Sequence, residues 1–251
     1  MAEAVIHHRL DLVVRLIDTA TGQEINESGV SFMKNGEKIP MIARGSGTHI
    51  GINIGRDDFD LTVNVRGYEI GSKRVVYSEI NESMPMLDVY LLPEDKVVKT
   101  GKYRMISGNL PDIRDLEAVA VRTANCCFRD FDERKRIMGV FNPHNVSLND
   151  VHYGLINQTE GTYEKFSILN QKSMTEIKID HVLEGKTVTN SPIERIVFGR
   201  VTPDGDYKLC VRDDARILKY LVRFIVNGEV HFQLIDFRGE PEQMKLGVEV
   251  V

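Results

Sequence analysis

The chain has 251 residues, 42% hydrophobic and 27% charged, enough for one large domain or two ordinary ones and too apolar for extensive disorder. A formal net charge of −5 argues against non-specific nucleic-acid binding, which needs clustered Lys and Arg. No apolar run approaches the ~20 residues that span a bilayer, so membrane insertion is not expected.

The first eight residues, Met1 to His8, have neither a basic n-region nor an apolar h-region, which predicts cytoplasmic synthesis without a signal peptide. His7 and His8 read as an exposed arm. Leu10, Leu12, Val14 and Leu16 then alternate as one face of a strand, and Asp18-Thr19-Ala20-Thr21-Gly22 turns the chain. The runs Val30–Lys34 and Glu37–Ile42 flank Asn35-Gly36, the strongest short hairpin signal, because both residues tolerate positive φ. Pro40 cannot donate to a ladder and places this hairpin at a sheet edge. Gly45-Ser46-Gly47 is a turn, and Ile50, Ile52 and Ile54 alternate with His49, Gly51 and Asn53. Phe59, Leu61, Val63 and Val65 form an apolar face. Val75-Val76-Tyr77 and Met86–Leu92 supply the last strands. Six or seven short strands at this spacing predict a sandwich.

Segment 12–92 resembles the prealbumin-like, carboxypeptidase-regulatory-type β-sandwich. The resemblance rests on Val14–Asp18, Thr21-Gly22 with Ile25, Gly29–Phe32, Phe59–Val65 with Gly67-Tyr68-Glu69, and Leu87–Pro93. It implies an Ig-like sandwich that serves as an accessory module and carries no catalytic residues. Ordinary members sit on secreted or surface proteins, and the absent signal departs from that habit. The expected organisation is a sandwich over residues 8–93, a short charged linker over 94–101, and a second β-rich domain with little helix over 102–251.

The second part resembles no family. Residues Asp112–Arg122 read as a short helix continuing into a strand, and Phe128–Met138, dense in Arg, Asp and Glu, as a loop or amphipathic helix. Asn142-Pro143-His144-Asn145 is a turn. Strands are expected at Glu164–Leu169, Thr175–Val182, Arg195–Val201 and Tyr207–Arg212, with Pro203-Asp204-Gly205-Asp206 turning the last two. The longest hairpin, Ile217–Phe237, turns at Asn227-Gly228.

Motifs that carry chemistry are sparse. Phosphate-loop, dinucleotide, nucleophile-elbow and His-Glu-x-x-His patterns are absent, so no cofactor is expected. Cys126-Cys127 with His144 and His152 could supply metal ligands, but adjacent residues on a strand point to opposite faces. Three cysteines, two of them adjacent, are no disulfide framework and read as reduced thiols. Asp130, Asp132 and Glu133 are offset by Arg129, Arg134, Lys135 and Arg136, a cluster that reads as solvated or partner-facing. Asp204, Asp206, Asp213 and Asp214 read as turn residues, while the histidines at 49, 181 and 231 read as structural or surface strand positions. Tyr68, Tyr77 and Tyr90 would form a stacking platform for carbohydrate if they shared a face.

Three functional classes follow. The foremost is a non-catalytic structural component of a cytoplasmically assembled particle, of phage-tail or contractile-injection type, whose partners are other subunits or copies of itself. The second is a carbohydrate- or peptide-binding surface module. The third is a hydrolase with an accessory sandwich. No catalytic residue is assigned. The interaction candidates are Arg134, Lys135, Arg136, Tyr68, Tyr77 and Tyr90.

Overall fold

Period-two alternation of apolar and polar side chains makes this chain mainly β, because each strand then has one face to bury. The computed structural model describes the chain apart from residues 1–8, 46, 81–84, 96–102, 123–124, 146–147, 149–151, 185–188, 215, 218, 239–245 and 247–251. It divides into two compact units, Met1–Thr100 and Gly101–Val251. The expected arm at His7-His8 and most of the expected linker lie outside the described residues.

The first unit holds β1 (Leu10–Asp18), β2 (Ser31–Lys34), β3 (Glu37–Ile39), β4 (Ile42–Ala43), β5 (Thr48–Ile52), β6 (Phe59–Asn64), β7 (Gly71–Val75) and β8 (Met86–Leu91). They form two four-stranded sheets, ordered β4-β5-β1-β8 and β3-β2-β6-β7. Leu12, Val14 and Leu16 from β1, Phe59, Leu61 and Val63 from β6, and Val89 and Leu91 from β8 share one buried core. This is a β-sandwich. Asn35 and Gly36, at φ of 50° and 86°, close the β2–β3 hairpin, and β3 lies at its sheet's edge.

Two local expectations need correction, at Leu10 and at Tyr77. Leu10 is off the buried face, because the ladder with β5 shifts register between Leu10 and Leu12 and the bulge buries Asp11 instead. The alternation expected around β5 places His49 and Gly51 on its buried face, and the His49 ring packs 4.9 Å from Phe32. Tyr77 belongs to a single 3-10 turn, Tyr77–Glu79, after β7 has ended.

The second unit begins with β9 (Tyr103–Asn109), β10 (Ile113–Ala120), β11 (Cys127–Asp132), β12 (Ile137–Phe141), β13 (His152–Asn157) and β14 (Thr162–Ser173). It continues with β15 (Glu176–Ile179), β16 (Ile193–Phe198), β17 (Arg200–Val201), β18 (Asp206–Arg212), β19 (Lys219–Val226) and β20 (Glu229–Asp236). Nine of these form one sheet, β11-β12-β15-β14-β13-β16-β10-β19-β20, and three form another, β17-β18-β9. Leu116, Ala118, Val222 and Phe224 of the large sheet are buried with Ile106, Tyr207 and Leu209 of the small one.

In the segment expected to start as a helix, residues Ile113–Ala120 are strand. All five residues from Leu116 to Ala120 are buried, so both faces of β10 are covered, and Asp115 at φ 45° forms a bulge against β19. Phe128–Met138 is a hairpin: Phe128, Met138 and Val140 enter a core while the charged residues occupy the outer positions and the turn. The strands β9 and β13 have no counterpart in the sequence reading.

Gly154 on β13 lies against Val119 and Tyr163, and a Cβ there would stand 2.8 Å from Val119 Cγ1 and 2.9 Å from Tyr163 Cδ2. Gly154→Ala should therefore overpack this layer and cost about 1–3 kcal/mol in equilibrium urea unfolding, with the slope of the transition unchanged.

Candidate functional site

The face of the large sheet opposite the dry core carries the unit's most unusual chemistry. Val119, Ile156, Tyr163, Ile196 and Leu221 form a small buried cluster there. Cross-strand register places Phe232, Arg223, Glu117 and Phe198 in one row across β20, β19, β10 and β16. The sheet curls around this face. Tyr163 of β14 meets Phe232 of β20 edge-on at 5.4 Å between ring centroids, although β13, β16, β10 and β19 lie between those strands. On a flat sheet with strands ~4.8 Å apart, five such spacings would hold the two backbones ~24 Å apart.

Two carboxylates are buried on this curled face. Lys165 Nζ donates to Glu117 Oε2 at 2.9 Å, and Arg223 Nη1 donates to Glu117 Oε1 at 3.0 Å. The Lys165 ammonium also lies 4.8 Å over the Phe198 ring. Glu194 is held by Arg122, whose Nε and Nη2 donate to its two oxygens at 2.8 and 2.9 Å. The Tyr163 phenol is buried nearby. Burial, and then the Glu117 carboxylate, push its pKa well above the ordinary value, and its hydroxyl makes no well-aligned hydrogen bond among the described residues.

A cleft of about 630 Å³ opens beside Glu117 and is bordered by Asp112, Arg114, Asp115, Lys165 and Arg223. Asp112 and Asp115 hold left-handed backbone there, at φ of 59° and 45°. A cleft of about 410 Å³ is lined by Ile156, Glu160, Tyr163 and Phe232. Beyond Phe232 the sheet ends at β20. Among the described residues β20 pairs only with β19, and it exposes Val230 by 48% and Leu234 by 53% on the same side as Phe232.

The sequence-predicted residues fall elsewhere. Arg134 and Lys135 stand exposed on the β11–β12 turn, where Lys135 Nζ pairs with Asp132 Oδ2 at 3.3 Å. Arg136 has turned inward, its Nη1 donating to the Asp180 carbonyl at 2.5 Å, so it holds its own fold together. Tyr68 donates to Asp18 Oδ2 at 2.9 Å and Tyr77 to the Asp11 carbonyl at 3.1 Å, which anchors their hydroxyls at opposite ends of β1. Seven residues at ~3.3 Å each put those ends roughly 23 Å apart, so the two rings do not meet. Tyr90 lies beside Ile17 in the β1–β8 ladder.

Among the described residues, no three His, Cys, Asp or Glu side chains are placed to hold a metal ion. The three cysteines are free. Cys126 and Cys210 are buried, and burial pushes the Cys126 thiol up to about 12. His152 is turned to the Ser167 hydroxyl at 2.9 Å and packs edge-on against Phe198. No described helix is long and apolar enough to cross a membrane.

Sequence reasoning missed Glu117, Lys165 and Arg223. The available signal was Glu117 itself, a lone charge inside the buried-looking run Leu116–Val121. Its partners are 48 and 106 residues away and follow only from the register.

No family model and no curated protein matches the chain. Two solved structures are similar over most of it. One is the Bacillus anthracis TIE protein, at 9% identity and a TM-score of 0.24, covering 94% of this chain and 50% of that one. The other is a Bacteroides ovatus protein described as a candidate for cell adhesion, at 8% identity and a TM-score of 0.21, covering 91% of this chain and 87% of that one. The chain thus spans half the length of the first, and likeness at this level carries no functional argument.

Two substitutions test the electrostatics. Glu117→Gln leaves Lys165 and Arg223 facing each other across a neutral amide and should cost about 2 kcal/mol in urea unfolding. Lys165→Met should cost less, because the more shielded Arg223 remains on the carboxylate. In the first unit, burial would raise the Asp11 carboxyl, but hydrogen bonds from Arg9 and the Gly55 N–H hold it below the usual range. A carboxylate lowered on folding stabilises above its unfolded pKa of ~3.9, and that stability is lost as pH falls through the folded value. Asp11→Asn should accordingly flatten the acid limb of a thermal-stability profile below pH 4 relative to the parent chain.

Proposed function

We propose that this protein is a non-catalytic structural subunit of a multi-protein assembly, joined to its neighbours through the β20 end of its large sheet. The observation that carries the reading is β20, the eight-residue strand at the end of the nine-stranded sheet, along which Val230 and Leu234 stand exposed on one side. Exposed apolar side chains in line on a terminal strand supply the burial that docking of another subunit needs. The finer reading is a cytoplasmically assembled particle of phage-tail or contractile-injection type, with the first unit as a prealbumin-like spacer. The two four-stranded sheets around one core, with the first and last strands parallel, support that part.

A second reading is favoured by one observation. The 630 Å³ cleft at Glu117 brings Arg114, Lys165 and Arg223 together with three carboxylates, a polar lining suited to a short peptide or a sugar.

The two readings part in one experiment. In lysate of the native host, the tagged protein should migrate in a complex far above the 28.5 kDa of the chain. Val230→Lys/Leu234→Lys should release it while leaving its thermal unfolding within a few degrees of the parent. Migration of the parent as a free chain would overturn the assembly reading and direct the search to ligands of the cleft.

A further inference from the structure

We propose that the cleft beside Glu117 holds the C-terminal carboxylate of a short peptide. The inference rests on the second reading above, in which that cleft is a ligand site, and names the group it takes.

The cleft is a gap between two stretches of backbone. The chain leaves the large sheet at Gly199, where β16 ends, and β17 continues it in the small sheet. Gly199 has no room for a side chain at this crossing, since a Cβ there would stand 2.7 Å from Leu116 Cδ2 and 2.9 Å from the Lys208 carbonyl oxygen. The Gly199 amide donates to the Leu116 carbonyl at 2.6 Å, and the Leu110 amide donates to the Gly205 carbonyl at 2.9 Å. Between those two bonds, among the described residues, no hydrogen bond joins residues 111–115 to residues 200–204. The two stretches part there, and the cleft of about 630 Å³ occupies the parting. A gap closed at both ends by backbone bonds leaves no through-channel along the strands, so an extended chain that enters it ends in it.

The charges select which end. Glu117 is buried, and Lys165 and Arg223 each give it one hydrogen bond. An ammonium and a guanidinium carry several N–H groups each, so both side chains keep donors to give. Two cations on one carboxylate also leave a positive charge over. Arg114 adds another: it pairs with Ile225, two residues from Arg223 on β19, and therefore shares the face that carries Arg223 and Glu117. Its guanidinium makes no hydrogen bond or ion pair among the described residues. A carboxylate placed here meets three cations and one carboxylate that is already satisfied, whereas an ammonium terminus meets net repulsion. Charge-assisted bonds to a carboxylate are the strong ones, and chain termini are captured in this way. Asp112 and Asp115 also border the cleft, but they stand exposed, where solvent and salt screen them. Val201 and Pro203 give the opposite wall apolar surface for the last side chain of the peptide.

Fluorescence anisotropy with two peptide pools reads the assignment. Both pools are N-terminally labelled tetrapeptides, Gly-Gly followed by two randomised positions, one ending in a free carboxylate and the other in an amide. The free-acid pool should bind the full chain and the amide pool should not. Arg114→Glu, at an exposed position with no partner to lose, should keep the parent's midpoint in urea and weaken binding of the free-acid pool about tenfold or more. Arg114→Gln, which removes the charge without reversing it, should weaken it by a smaller factor. Equal binding of the two pools would overturn the proposal and leave the cleft a peptide site without a preference for the terminus. Undiminished binding by Arg114→Glu would place the peptide elsewhere and overturn it as well. Labelled maltotetraose or chitotetraose binding where the free-acid pool does not would overturn it while the cleft stands as a sugar site. If no pool and neither sugar binds, the cleft reading fails together with the proposal.

Discussion

The curl of the large sheet is the constraint on which the second unit depends. A nine-stranded sheet has two faces to cover. The small three-stranded sheet packs under β10 and β19 and covers part of one. The other face has no described layer against it and is closed by bending, so that Tyr163 and Phe232 meet across what would be a wide gap on a flat sheet. Gly154 makes the bend possible, since any side chain there would occupy the space held by Val119 and Tyr163. The bend also brings Lys165 to Glu117, across two intervening strands.

Glu117 then does something an apolar residue could not. A one-residue slip of β10 against β19 would carry its carboxylate to the dry face, among Leu209, Val222 and Phe224, where it would lose both cations. A buried charge left without its partners costs several kcal/mol, so the ion triad penalises the slipped pairing far more than it stabilises the correct one. Asp18 has a comparable role in the first unit. Its Oδ1 accepts from the Ala20 and Thr21 amides and shapes the turn after β1, while Oδ2 receives the Tyr68 hydroxyl from a distant loop.

How much of this could be read from the sequence depends on whether the signal is local. The Asn-Gly pairs at 35–36 and 227–228 announce their hairpins because the turn chemistry sits in two adjacent residues. The apolar face from Phe59 to Val65 is equally local. The β11–β12 hairpin was hidden because its alternation is carried by Phe128, Met138 and Val140 among residues that are mostly charged. The helix-compatible start of β10 misled for the opposite reason: Asp115-Leu116-Glu117-Ala118 has no strand propensity of its own, and it is extended because neighbours on both sides pair with it. Arg136 looked like part of an exposed basic cluster with Arg134 and Lys135. Nothing in a one-dimensional reading says that the Asp180 carbonyl will be within its reach. The candidate site offered one local sign, the lone charge of Glu117 in an apolar run; the ion pairs that hold Glu117 and Glu194 join residues at least 48 apart and follow only from the register.

The edges of the sheets show why β20 is exceptional. An exposed edge invites pairing with any available strand, and natural sheets blunt it. In this protein β3 is three residues long, carries Glu37 and Lys38, and is followed by Pro40; β4 is two residues long; β7 presents Lys73 and Arg74; β11 presents Arg129, Asp130 and Asp132. Each is short or charged. β20 is eight residues long and sets Val230, Phe232 and Leu234 in line on one side. Of the eight edge strands among the described residues, β20 is the longest and the one that exposes two large apolar side chains, where β4 exposes Ile42 alone and β8 Met86 alone. A row of exposed apolar side chains on a terminal strand is the kind of surface that binding interfaces bury, and this is why the assembly reading is placed on β20 and not on the shorter or more charged strands.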